Sequence, residues 1–147
     1  MGILDSLSIS ASALTAERTR MDVTAENLAN AQTTRTEAGG AYRRKVVLLA
    51  QDGDVASSFG AQLGKAMGST TGGGVKVAAI TEDATPLKTV YDPGHPDADA
   101  NGYVQLPNVE PVEEMVDLIT ESRAYEANVT AMQTAKTMFS RTLDILR

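Results

Sequence analysis

The stretch LDSLSISASALTAERTRMDVTAENLAN, residues 4–30, carries apolar residues in an alternating three-and-four spacing. Leu4, Leu7, Ala11, Leu14, Arg18, Met21, Ala25 and Leu28 fall on heptad a and d positions, and only Arg18 is polar. Such a stripe is narrow, suited to another helix rather than to a broad core. As a helix it spans about 40 Å at 1.5 Å per residue. The periodicity ends at Leu28, and Asn30 stands just beyond it. Asparagine tolerates the left-handed conformation that closes a helix, so capping accounts for Asn30. Asn27 is placed to bond a neighbouring helix or the chain turning away after Thr33. No acid, base or nucleophile constellation surrounds Asn27-Leu28-Ala29-Asn30, and nothing there reads as catalytic.

The other end repeats the pattern. Met115, Leu118, Ser122, Tyr125, Val129, Met132, Lys136, Phe139, Leu143 and Leu146 keep the same spacing, which predicts a helix of about 54 Å. Pro111 suits its first position, and Glu113, Glu114 and Asp117 put negative charge on the positive dipole end. Lys136, Arg141 and Arg147 lie toward its end. The macrodipole explains that split, which also leaves a long helix with two differently charged ends for staggered contact with other copies.

Between the helices the character changes. Residues 42–50, 75–82, 87–91 and 103–106 are candidate strands, rich in Val, Ile, Tyr and Thr. Residues 52–74 are crowded with glycine, serine and alanine and read as a flexible segment, the glycines of residues 68–74 supplying chain freedom. The plan is α+β. Residues 1–34 and 108–147 form a discontinuous unit of long terminal helices pairing as a coiled coil would, and 35–107 form a small β-rich insertion.

Composition removes several function classes. Net charge is -6 and the sequence pI about 4.7, against tight nucleic-acid binding through phosphates. There is no cysteine and one histidine, which leaves no thiolate chemistry and little room for His-based catalysis. No apolar run is long enough to span a membrane. The start does not read as a secretory signal, because its leucines are spaced by serines and no basic region precedes them. Gly60, Gly64 and Gly68 sit among polar residues, unlike a membrane dimerisation face. Gly60 to Lys65 is one residue short of a phosphate loop, and Ala66 replaces the required hydroxyl. Asp97, Asp99, Asn101 and Gly102 match the opening of a calcium loop, but Asn108 stands where the bidentate Glu belongs. The competing reading is a pair of turns, Asp92-Pro93-Gly94 and a tight hairpin turn at Asn101-Gly102. His95, without a partner base, reads as a structural hydrogen bonder. No cofactor, metal or catalytic residue is expected; a calcium-binding module at 97–102 is the alternative.

Three segments carry a family resemblance. NLANAQT from Asn27, ESRAYEAN (121–128) with Ala135-Lys136 and Met138, and VYDPGHPDADANGYVQLPNVEPVEEM (90–115) resemble the bacterial flagellar axial proteins, the third resembling the proximal members of the basal-body rod family. After the motif the chain continues Ala31-Gln32-Thr33-Thr34, where many relatives run toward a Gly-Phe pair. That departure points away from hook and distal rod proteins. The resemblance implies a non-enzymatic driveshaft subunit whose terminal helices pack side by side into a torque-transmitting tube. It implies export through the flagellar type III channel without a cleaved signal, and assembly in the periplasm. The implied partners are copies of itself, other rod proteins, and membrane-ring and export-gate components, with no nucleic acid and no membrane insertion. The resemblance points to Asn27, Leu28, Ala29, Asn30 and Thr33, with Arg123, Tyr125, Glu126, Ala127 and Asn128, as the relevant residues. The heptads add Leu7, Leu14, Met21, Met115, Leu118, Val129, Met132, Phe139 and Leu143 as subunit contacts.

Overall fold

The computed structural model describes residues 3–37, 39–52 and 73–145. The chain runs α1 (Ile3–Ala29), β1 (Lys45–Asp52), β2 (Gly74–Glu82), β3 (Lys88–Tyr91), β4 (Tyr103–Leu106) and α2 (Pro111–Ile145). β1 pairs with β2 and β3 with β4, each pair a two-stranded sheet. This is the expected α+β arrangement, with two long helices flanking a small β region. One compact unit draws on the described residues of Met1–Arg18, Leu49–Ala78 and Ser122–Arg147. The other comprises Thr19–Leu48 and Ala79–Glu121. The expected flexible segment 52–74 lies outside the described residues except for Asp52, Gly73 and Gly74.

Both helices contain many Ser and Thr residues, which compete with the helical backbone elsewhere. Here their hydroxyls donate back to carbonyls of the preceding turn, as Ser8 does to Asp5 and Thr15 to Ala11 in α1. Thr130, Thr134 and Thr142 do the same in α2. α1 has two faces. Ala16, Val23, Thr24 and Asn27 are buried, whereas the heptad stripe is not: Leu7, Leu14, Met21 and Leu28 are half-buried, and Ala11, Arg18 and Ala25 are exposed. Leu14 and Met21 each precede a buried residue, Ala16 or Val23, by two positions, which is about 200° round the helix. The stripe therefore lies away from the fully buried face, and the chain covers it only in part.

α1 does not close through a left-handed asparagine, because no described non-glycine residue has positive φ. Asn30 instead donates its side-chain amide to the Glu26 carbonyl at 2.9 Å, and its own carbonyl accepts from Thr33 N at 3.0 Å. The Glu26 carbonyl thus accepts both the backbone N–H of Asn30, at 3.1 Å, and its side-chain amide.

β3 and β4 are antiparallel, with Val90 opposite Val104 and Tyr91 opposite Tyr103. The tyrosine rings meet edge to face at 5.3 Å. No two-residue turn joins these strands. Residues 92–102 form a longer loop, and only Gly102 (φ +79°) is left-handed, so Asn101-Gly102 cannot make the primed turn that needs two such residues. The Asp92 and Asp99 carboxylates accept from Gly94 N and Asn101 N, and His95 Nδ1 accepts from Asp97 N. Asp97 accepts from the Thr34 hydroxyl at 2.8 Å. Of the calcium-like motif's acids, Asp99 thus acts as a turn-forming acceptor and Asp97 ties the loop to Thr34.

Gly73 and Gly74 provide clearance rather than chain freedom. A Cβ on Gly74 would lie 2.2 Å from Ser12 Oγ and 2.9 Å from Ser12 Cβ, at the point where Ser12 Oγ accepts from Val75 N. Gly74→Ala is expected to lower stability by about 1–3 kcal/mol through overpacking. Ser12→Ala removes the nearer clashing atom, so the double variant should denature at a higher urea concentration than additivity predicts. Strict additivity would mean that the contact is not tight.

Candidate functional site

The centre of the second unit is polar. Its largest fully buried side chains are Glu114, Asn27 and Pro107, and Val104 and Val109 supply only a small apolar floor. Asn27, at 1% exposure, uses its whole hydrogen-bonding capacity. Its Oδ1 accepts from Lys45 N at 2.9 Å and from the Tyr42 hydroxyl at 2.9 Å. Its Nδ2 donates to Lys45 O at 2.9 Å and to Glu114 Oε2 at 3.2 Å. The two bonds to Lys45 copy the paired exchange between strands. The carboxamide therefore substitutes for a strand partner where β1 begins, holding the chain against α1.

Glu114, also 1% exposed, accepts through its other oxygen from Arg44 Nε at 2.5 Å. Arg44 further reaches Asp117 at 3.4 Å and Asp83 at 4.0 Å, and its backbone N–H donates to Asn108 Oδ1 at 2.8 Å. Asn108 in turn donates to the carbonyls of Asp83 and Thr85. Burial alone would lower the Arg44 pKa, but the Glu114 hydrogen bond and the surrounding carboxylates raise it, keeping the guanidinium charged. The Tyr42 hydroxyl is pushed up to about 12, by burial first and then by Glu26, Glu114 and Glu82, so it remains a donor to Asn27. Asp83 is held below the usual carboxylate range by Thr85 and then Arg44. Two helical turns beyond Glu114, Glu121 accepts from Thr24 at 3.3 Å and pairs with Arg20 at 3.4 Å.

Among the described residues no group of three or more His, Cys, Asp or Glu side chains is placed to hold a metal ion. One cleft beside it, between Arg20, Thr24, Asp117 and Glu121, has a volume of ≈ 90 Å³, and a second, lined by Glu26, Tyr42, Lys45 and Glu82, a volume of ≈ 720 Å³. The arrangement holds segments of the chain together.

The residues expected from the sequence occupy three settings. Asn27 is enclosed within its own chain, with Thr33 and Asn30 beside it joined by a 3.1 Å bond from the Thr33 hydroxyl to Asn30 Oδ1. Leu7, Leu14, Met21 and Leu28 on α1 are half-buried, as are Leu118, Tyr125, Asn128, Val129 and Met132 on α2. Ala29, Met115, Arg123, Glu126, Phe139 and Leu143 are exposed. The sequence reading missed Tyr42, Arg44, Lys45, Asn108 and the inward role of Glu114. One signal was available: strand-forming residues begin at Tyr42, yet two arginines and a lysine follow it directly, an unusual charge density for a strand covered on one face.

The comparisons bear on both ends of the chain. Residues 7–35 match the family described as flagella basal body rod protein, and residues 100–145 match the flagellar basal body rod FlgEFG protein C-terminal family. The chain is 50% identical over 151 residues to the flagellar basal-body rod protein FlgC of Bacillus subtilis (strain 168), covering 99% of each. It is 45% identical over 151 residues to the FlgC of Borreliella burgdorferi, covering 100% of this chain and 99% of the relative. To the FlgC of Salmonella typhimurium it is 43% identical over 145 residues, covering 99% and 98%. Matches at both termini, with relatives this similar along nearly the whole length, show that the chain belongs to the flagellar basal-body rod protein family, within its FlgC group, and is a structural subunit of the rod.

Proposed function

We propose that the chain is a non-catalytic subunit of the proximal rod that packs against neighbouring subunits through the heptad stripe of α1 and helps to transmit torque. The observation that carries this reading is the double-faced character of α1. One face is consumed by the chain's own Ala16, Val23, Thr24 and Asn27 contacts, while Leu7, Leu14, Met21 and Leu28 point elsewhere. A half-buried leucine stripe on a helix already packed on its other side calls for a second partner. In this reading residues 1–34 and 108–147 supply the rod core, and 35–107 the insertion. Asn27 acts indirectly, by fixing the segment from Tyr42 to Lys45 beneath α1, so that the outward stripe keeps its shape. Assembly takes place in the periplasm on the membrane-ring and export-gate components. The chain reaches them through the flagellar export channel without a cleaved signal.

Leu14→Asp is expected to lower the isolated subunit's stability by about 1–2 kcal/mol, because Leu14 is already half-buried within the chain. Rod assembly should fail, because every copy would place an unpaired carboxylate in the seam. The checks are urea denaturation of the purified chain and electron microscopy of basal bodies from the variant strain. Normal rods in that strain would remove the stripe from the interface.

A further inference from the structure

We propose that Asn101 is a self-modification site: its carboxamide loses ammonia to attack by the Gly102 backbone nitrogen, at a rate that the folded loop restrains. The inference rests on the loop alone and is independent of the rod-subunit reading. The chain has asparagine at positions 27, 30, 101, 108 and 128. All but Asn101 have side-chain partners. Asn27 is enclosed, Asn30 bonds Glu26 O and the Thr33 hydroxyl, Asn108 bonds Arg44 N and two carbonyls, and Asn128 donates to Ala124 O. Asn101 is exposed, and among the described residues no hydrogen bond holds its carboxamide. It is also the one asparagine followed by glycine; Leu28, Ala31, Val109 and Val129 follow the others. A side chain on the following residue crowds the attacking nitrogen, and glycine has none.

The chemistry needs only water and base. Base removes the proton from Gly102 N, and the nitrogen attacks Asn101 Cγ. The Cγ–Nδ2 bond breaks, and Nδ2 leaves as ammonia with a proton from water. Water then opens the cyclic imide at either carbonyl. One product is aspartate; the other is isoaspartate, in which the chain runs through the side-chain carboxyl. The sum consumes water and releases ammonia without oxidation or reduction.

The loop restrains the first step. Gly102 N donates to Asp99 O at 2.8 Å and Asn101 N to Asp99 Oδ1 at 3.1 Å, so the peptide groups on both sides of Asn101 are tied to Asp99. Attack on Cγ requires the first of these bonds to open. Exposed loops open locally at less cost than global unfolding, so the restraint is partial. The product acts back on the fold. Asp99 N donates to Tyr103 O at 2.9 Å, closing the loop across the same peptide, and a Cβ on Gly102 would lie 3.0 Å from the Tyr91 ring. Isoaspartate lengthens the backbone by a carbon inside this closure and adds a carboxylate near Asp99, which loosens the β3–β4 hairpin where its tyrosines meet.

The test is peptide mapping by mass spectrometry of the full chain aged at mildly alkaline pH, either folded or unfolded in guanidinium chloride. Conversion should fall on Asn101 ahead of the other asparagines, and about ten-fold more slowly in the folded chain than in the unfolded one. Asp99→Ala removes the Oδ1 acceptor at an exposed position, so its far-ultraviolet circular dichroism should match the parent's. It should speed conversion of the folded chain about three-fold and leave the unfolded rate nearly unchanged. The isolated isoaspartyl chain should show a weaker near-ultraviolet dichroism from its tyrosines. Equal rates in folded and unfolded chain, faster conversion at another asparagine, no acceleration by Asp99→Ala, or an unchanged tyrosine spectrum would overturn the proposal.

Discussion

Asn27→Asp is expected to destabilise the second unit by about 3–5 kcal/mol, among the largest effects that a single-atom change in side-chain chemistry can have here. The substitution keeps the size and shape of the side chain. It replaces Nδ2, which donates to Lys45 O at 2.9 Å and Glu114 Oε2 at 3.2 Å, with an oxygen. Two donor–acceptor contacts become acceptor–acceptor contacts. One of them sets a second carboxylate against Glu114, where neither is more than 1% exposed in the parent. Asn27→Ala should cost less, about 2–4 kcal/mol, because it leaves the Tyr42 hydroxyl and the Lys45 N–H and C=O without partners but adds no charge. That ordering is diagnostic. If Asn27 merely filled space, alanine would be the worse substitution. Chemical denaturation followed by far-ultraviolet circular dichroism measures both, and equal midpoints for parent and Asn27→Asp would refute the strand-surrogate role of the amide.

Such an effect could not be anticipated from the sequence, and the reason is physical. Asn27 meets Tyr42 and Lys45 across 15 and 18 residues and Glu114 across 87. No local periodicity encodes those separations. What periodicity does encode is a repeating surface, and for α1 that surface lies away from the fully buried one: Leu7, Leu14, Met21 and Leu28 are half-buried, whereas Ala16, Val23, Thr24 and Asn27 are buried. The strands were legible because Val, Ile, Tyr and Thr cluster in short runs, and the candidates at 75–82, 87–91 and 103–106 each fall within one residue of β2, β3 and β4. The first candidate began at Tyr42, whereas β1 begins at Lys45. The intervening Tyr42, Arg43 and Arg44 are in extended chain whose polar groups go to Thr33, Asn27, Asn108 and Glu114 instead of a ladder. Glu113 and Glu114 looked alike as dipole-compensating acids at a helix start. Only the phase of the packed helix separates them, exposing one and burying the other.

The burial of Glu114 sets up the second large effect. Arg44→Met should cost about 3 kcal/mol, near the lower end for breaking a buried pair, because water reaches the 28% of the Arg44 side chain that is exposed. The cost comes from the carboxylate left behind, so removing its charge should recover the loss. Glu114→Gln in the Arg44→Met background still accepts the Asn27 amide through its remaining carbonyl oxygen, and the double variant should return to within about 1 kcal/mol of the parent. A double-mutant cycle from urea denaturation of the four proteins gives the coupling directly. Simple addition of the two single effects would mean that Arg44 and Glu114 do not depend on one another. Assembly is the more informative readout. The double variant regains stability but not the reach of Arg44 to Asp117 and Asp83, which spans from α2 to the residue just after β2. If rods form as well as in the parent, the ion pair is one of several adequate ways to close the unit. If the stable double variant still fails to assemble, Arg44 fixes where α2 begins relative to β2, and subunit packing depends on that register.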